Sequence, residues 1–207
     1  MPIRNVLDNL LNHAVKTGIL RILCERDIGW TGRKLAKELF VSPTTANKFL
    51  KGLAKDGIID IKNAGNSYLY SINRDNHAVR SILRPFFEKE REVYDNALSL
   101  IRKSLSRCDA TILSAAIFGS VATNEEISGS DIDLVVVIEN LKDKKTVERG
   151  LDDIARIMAQ RFQTAVSPYI ITGSQFRKKH MAKDSLISEI LKSYILIYGK
   201  PIERIII

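Results

Sequence analysis

Ile112-Leu113-Ser114-Ala115-Ala116-Ile117-Phe118-Gly119-Ser120-Val121-Ala122-Thr123-Asn124-Glu125-Glu126-Ile127-Ser128-Gly129-Ser130-Asp131-Ile132-Asp133-Leu134-Val135-Val136-Val137-Ile138 holds two apolar runs separated by a polar, glycine-containing break. The pattern predicts a strand, a sharp turn at Gly119-Ser120, a short helix or loop, and a second strand opened by Asp131 and Asp133. Aspartate is disfavoured in strands, so two of them at the head of a valine-rich run need a chemical reason. Side chains alternate along a strand, which puts both carboxylates on one face. At that distance they repel, and a hard divalent cation such as Mg²⁺ between them relieves the repulsion. Gly119 permits close backbone approach, and amides at a strand-to-helix turn form an anion cradle suited to a triphosphate. Gly119, Ser120 and Ser130 are therefore the candidate nucleotide-binding residues, and Asp131 and Asp133 the candidate metal-binding and catalytic ones. These parts suit metal-assisted transfer of a nucleotidyl group.

Gly-Ser, ten residues, then Asp-Ile-Asp-Leu resembles the signature of the polymerase-beta-like nucleotidyltransferase superfamily, in particular its small "minimal" domains, over about residues 108–205. The resemblance implies a small mixed sheet with flanking helices, Mg²⁺, and a nucleoside triphosphate as ligand or substrate. It also implies a third carboxylate from a later strand. The matching segment here, Gln163-Thr164-Ala165-Val166-Ser167-Pro168-Tyr169-Ile170-Ile171, contains no Asp or Glu, and Ser167 is the nearest polar side chain to that place. Glu139, Asp152 and Asp153 read as lying at a strand's far end or on the helix expected over Asp143–Phe162. Where the family has a basic residue after the Gly-Ser turn, this chain has Thr123-Asn124; Arg161, Lys178 and Lys179 are the other cations to consider.

The rest of the chain has a different character. The whole carries 32 Lys+Arg against 24 Asp+Glu, a formal charge of +8, and residues 1–80 alone hold 13 cations and 7 carboxylates. Such a bias points to nucleic acid or another anionic surface. Val6 to Cys24 reads as one amphipathic helix, interrupted near Gly18, and Thr31 caps a short helix through Leu39. Ser42-Pro43 opens another that runs to about Lys55 and ends at Gly57. Ile58–Ile61, a turn over residues 62–66 and Ser67–Ile72 complete a hairpin. This order, with Trp30 to Thr45 and Leu53 to Ile59, resembles winged helix-turn-helix regulators of the MarR- and ArsR-like group over about residues 5–80. The resemblance implies double-stranded DNA as partner and favours a homodimer. Its second helix would offer Thr44, Thr45, Asn47, Lys48 and Lys51 to a major groove. Arg33, Lys34 and Lys37 would grip the backbone, and Lys62, Asn63 and Asn66 would reach out from the wing.

The fold class expected is α+β: a winged helix-turn-helix domain over 1–80, a helical linker over 81–107 interrupted at Pro85, and a nucleotidyltransferase-like domain over 108–207. Cys24 and Cys108 stand 84 positions apart and suit a reducing compartment, and no apolar run approaches the ~18 residues of a membrane span, so a cytoplasmic protein is expected. Walker, dinucleotide, HExxH and nucleophile-elbow motifs are missing. Three functions fit: a DNA-binding protein whose second domain binds a nucleoside triphosphate and transfers a nucleotidyl group to a protein or other hydroxyl acceptor; a regulator whose second domain senses nucleotide or dimerises without catalysis; and an antitoxin-like partner of a toxin.

Overall fold

A computed structural model describes residues 4–26, 28–125 and 129–206 of the chain. The chain divides into two units, Met1–Val93 and Tyr94–Ile207.

The first unit opens with helices α1 (Val6–Leu10) and α2 (Ala14–Glu25). The interruption falls at residues 11–13 rather than near Gly18, because His13 caps α2 by accepting a hydrogen bond from the Val15 N–H at 3.2 Å. Gly18 instead lies inside α2, where the Leu39 side chain packs into the space a Cβ would fill. A two-residue strand β1 (Trp30–Thr31) leads into α3 (Gly32–Glu38), whose cap is Thr31. Ser42 caps α4 (Pro43–Lys55) by accepting from the Thr45 N–H at 3.1 Å, with Pro43 in the first turn where its missing N–H is harmless. Leu20, Leu23, Leu35, Leu50, Leu53 and Ile58 are fully or almost fully buried together, each contributing about 1.5–3 kcal/mol by leaving water.

Strands β2 (Ile59–Ala64) and β3 (Ser67–Ile72) pair antiparallel, with β1 on the other side of β3. Lys62 and Asn63 belong to β2 rather than to the turn, since Ala64 pairs with Ser67 across a two-residue link, Gly65-Asn66. Beyond Ile59 this strand is solvent-exposed, so no apolar alternation marked its length.

At the expected linker, Asn76 accepts from the Ala78 and Val79 N–H groups, a wide helical turn covers Val79–Leu83, and α5 runs Arg84–Arg107 with Pro85 in its first turn. Residues 81–107 do not stand apart as a connector. Leu83 and Phe87 are buried in the first unit's core, and Ala97, Ile101 and Leu105 in that of the second.

The second unit is built on a four-stranded sheet in the order β6-β5-β4-β7: β4 (Ile112–Phe118), β5 (Ile132–Ile138), β6 (Val166–Thr172) and β7 (Ile195–Gly199). Strand β4 is antiparallel to both β5 and β7, and β5 is parallel to β6. One face is covered by the end of α5 and by α7 (Lys144–Phe162), through Val147, Leu151, Ile154 and Met158. The other is covered by α8 (Gly173–Met181), α9 (Ser185–Lys192) and the terminal α10 (Glu203–Ile206), through Phe176, Ile187, Ile190 and Ile205. Covered on both sides, Leu134 to Ile138 have no exposure, which is why the segment reads as an unbroken apolar run. Pro168 sits on β6, an edge strand that can spare an N–H. The five-residue helix α6 (Gly119–Thr123) follows β4. The isoleucine-rich end is docked by Ile202 and Ile205, while Ile207 lies outside the described residues.

Candidate functional site

The first strand of the pair stops where the second begins. Phe118, the last residue of β4, pairs with Asp133 near the start of β5. Gly119 then turns the chain with φ +70°, in the left-handed region, and a Cβ there would collide with Asp133 Oδ2. Two separate demands therefore fix glycine: the backbone angle and the room taken by a carboxylate. Asp133 shares its sheet face with Val135 and Val137, the face on which α9 packs.

The parallel neighbour completes the group. Ser167 on β6 stands in register with Asp133, and its hydroxyl donates to Asp131 Oδ2 at 3.0 Å. Asp131, Asp133 and Ser167 thus meet at one end of the sheet, beside the Gly119 turn. Ser167 carries a hydroxyl, and among its neighbours here the acids are Asp131 and Asp133. Burial raises the Asp133 carboxyl above its ordinary range, and the negative charges of Asp131 and Glu189 push it the same way. Glu189 was not anticipated. It lies on α9 between the buried Ile187 and Ile190, and only tertiary packing brings its field to Asp133.

Among the described residues no group of three or more His, Cys, Asp or Glu side chains is placed to hold a metal ion. Asp131 and Asp133 are two hard oxygen ligands under mutual repulsion. That fits a cation such as Mg²⁺, which keeps several waters and takes few protein carboxylates.

Around the turn, Ser120 is half-buried in α6, and Ser130 is half-buried just before Asp131. The Thr123 hydroxyl has Glu125 Oε2 at 3.0 Å and the Ser120 and Gly119 carbonyls at 3.3 and 3.4 Å as alternative acceptors, and threonine brings no cation to this position. Asp152 and Asp153 are exposed on α7, which covers the opposite face of the sheet, and Glu139 follows the far end of β5. Arg161 is exposed near the end of α7. Lys179 pairs with Asp184 at 3.1 Å, and with Lys178 it lines a cavity of about 470 Å³ that includes Ile138, Tyr169 and Thr172. Ile138 is five residues along β5 from Asp133, roughly 17 Å at strand rise.

In the first unit, α3 and α4 present Arg33, Lys34, Lys37, Thr44, Lys48 and Lys51 to solvent, and the wing exposes Lys62, Asn63 and Asn66. Lys34 lays its ammonium 4.4 Å from the centre of the Trp30 ring. Two expected groups are turned to local work. The Thr45 hydroxyl bonds Ser42 Oγ at 2.8 Å, and the Asn47 side-chain oxygen packs against Gly32, where a Cβ would strike it. Missed at the level of sequence was Phe40, 96% exposed in the turn between α3 and α4.

Residues 101–203 match the family Polymerase beta, Nucleotidyltransferase. The first unit has the element order of a winged helix-turn-helix, and the nucleotidyltransferase match falls within the second. No curated protein matches the chain. Among solved structures, it is similar to reduced HlyU from Vibrio cholerae (18% identity, 43% of this chain and 85% of that one, TM-score 0.36). It is also similar to the AntR antimony-specific transcriptional repressor (22%, 44% and 78%, 0.37). A toxin-antitoxin structure with AMP-PNP is a further likeness (16%, 53% and 80%, 0.38). Among the described residues no helix is long and apolar enough to cross a membrane.

Proposed function

We propose that this protein binds double-stranded DNA through its first unit and a nucleoside triphosphate with Mg²⁺ through its second. The observation that carries the nucleotide reading is the meeting of Asp131, Asp133 and Ser167 beside a glycine whose missing Cβ makes room for a carboxylate. Asp131 and Asp133 hold the cation, and Gly119 and Ser120 lie against the phosphates, with Ser130 beside the acids. The bound ion supplies neutralisation of phosphate charge. On the DNA side, the exposed Thr44, Lys48 and Lys51 of α4 and the cations of α3 and the wing support docking in a major groove.

Ser167 favours a second reading of what happens after binding. Nucleotidyl transfer needs the attacking hydroxyl to lose its proton, and a carboxylate in the third position is suited to take it. Ser167 instead donates its own proton to Asp131 and is no base. The domain then holds nucleotide without transferring it, and reports its presence.

Two experiments separate these readings. Incubation of the protein with α-labelled triphosphates, Mg²⁺ and cell extract yields a labelled acceptor if transfer occurs and none if the domain senses. Ser167→Asp, which restores a third acid, is expected to create label transfer in a protein that lacked it; a variant as silent as wild type would count against this account of the missing base. For DNA, anisotropy at two salt concentrations is expected to show affinity falling steeply with salt, less steeply after Lys48→Ala.

A further inference from the structure

Phe40 ends α3 in a manner its residue type does not favour. Leu39 closes the helix and Phe40 follows with φ 52°, its N–H donating to the Lys37 carbonyl at 3.2 Å. The Val41 N–H donates to the Ala36 carbonyl at 3.0 Å. This paired bonding is a Schellman ending, whose left-handed residue is most often glycine. A side chain with a Cβ is strained there, and an aromatic one has no local hydrogen bond to compensate. Folding gains nothing in return, because the ring is 96% exposed. Strain at a residue that packs against nothing in its own unit is a cost that a partner can recover.

The surroundings indicate the partner's chemistry. From Arg33 to Lys48 the chain carries four cations, Arg33, Lys34, Lys37 and Lys48, against the single carboxylate of Glu38. Phe40 stands two residues before Ser42, the cap of α4, and four before the exposed Thr44. A polyanion with apolar features fits this setting. Duplex DNA supplies phosphates for the cations and, in the major groove, the thymine methyl for a ring that has no hydrogen-bonding group.

We infer that Phe40 is a DNA-contacting residue whose ring packs on a thymine methyl at the edge of the site read by α4. The inference rests on the DNA-binding reading above and adds a base preference to it.

The test starts by selecting duplexes from a pool of random 25-base-pair sequences with the wild-type chain. Wild type and Phe40→Gly are then titrated with the selected duplex by anisotropy at two salt concentrations, and with duplexes carrying deoxyuridine in place of each thymidine. The glycine variant is expected to melt a few degrees higher, since strain is relieved. It should bind about five- to tenfold more weakly with an unchanged salt slope, because no phosphate contact is lost. Deoxyuridine at one step should weaken wild type and leave Phe40→Gly indifferent. Equal affinity of the two proteins for the selected duplex would overturn the inference, as would a deoxyuridine series that leaves wild type unaffected. A fall in solution mass on Phe40→Gly with DNA affinity unchanged would give the ring to a second copy of this chain and overturn it too. Failure of wild type to retain any duplex is a separate result that removes the DNA reading itself.

Discussion

Gly119 and Phe40 adopt nearly the same left-handed backbone, at φ 70° and 52°, and each stands close to the start of a helix. At Gly119 the chain uses the residue the angle favours, and the space thus freed is taken by the Asp133 carboxylate. At Phe40 it uses a residue the angle resists, and the side chain is left in water. The first position sacrifices a side chain so that the protein's own carboxylate can come close. The second retains one at a cost in stability. Left-handed positions thus locate sites in opposite ways, one by what is missing and the other by what is kept.

Substitutions at and around the two positions test this contrast. Gly119→Ala carries the largest expected effect. The new Cβ meets Asp133 Oδ2 and a left-handed alanine costs roughly 1–2 kcal/mol by itself, so calorimetry should find nucleotide binding lost and thermal melting well below wild type. Combining Gly119→Ala with Asp133→Ala removes the collision and leaves the backbone cost alone. The alanine should then lower stability by only about 1–2 kcal/mol, comparable in size to what Phe40→Gly regains. A double variant as damaged as the sum of the two single ones would show that the Asp133 contact contributes nothing.

A smaller effect concerns proton linkage. The Asp133 carboxyl is raised by burial and by its acidic neighbours, so the folded state holds that proton more tightly than the unfolded chain does. Stability from this group is complete below the ordinary aspartate pKa, about 3.9, and is lost as pH rises through the raised value. Asp133→Asn stays neutral throughout. It should therefore melt above wild type at pH 7–8, with the gain vanishing toward pH 4. Melts that coincide at every pH would contradict the burial and repulsion assigned to this carboxylate.

What could be read in the sequence follows the range of the physics involved. The Gly119-Ser120 turn, the Asp131 and Asp133 pair, the Thr31 and Ser42 caps and the helix ended at Gly57 are set by neighbours within a few residues. The expectation about Ser167 came from a family resemblance, and the register then sets that residue beside Asp133. Other features depend on distant partners. The break at residues 11–13 lies in an apolar pattern that continues through it, and Gly18 resembles a breaker until Leu39 is packed on it. Glu189 reads as one more exposed helical acid until α9 is placed on the sheet. Asn47 reads as a free amide until α3 covers it. Phe40 carries no local sign at all, since no rule of composition anticipates an aromatic residue in a glycine conformation.

At the centre of the second unit's proposed function, the Asp131 and Asp133 end of the sheet binds nucleotide with magnesium. Calorimetric titration of the full chain with ATP, CTP and GTP, with and without Mg²⁺, tests it directly when repeated on Asp131→Ala and Asp133→Ala. The expected result is saturable heat with at least one nucleotide that requires Mg²⁺ and disappears in both variants while their melting transitions persist. No heat with any nucleotide in wild type, or binding that survives the loss of both carboxylates, would contradict it.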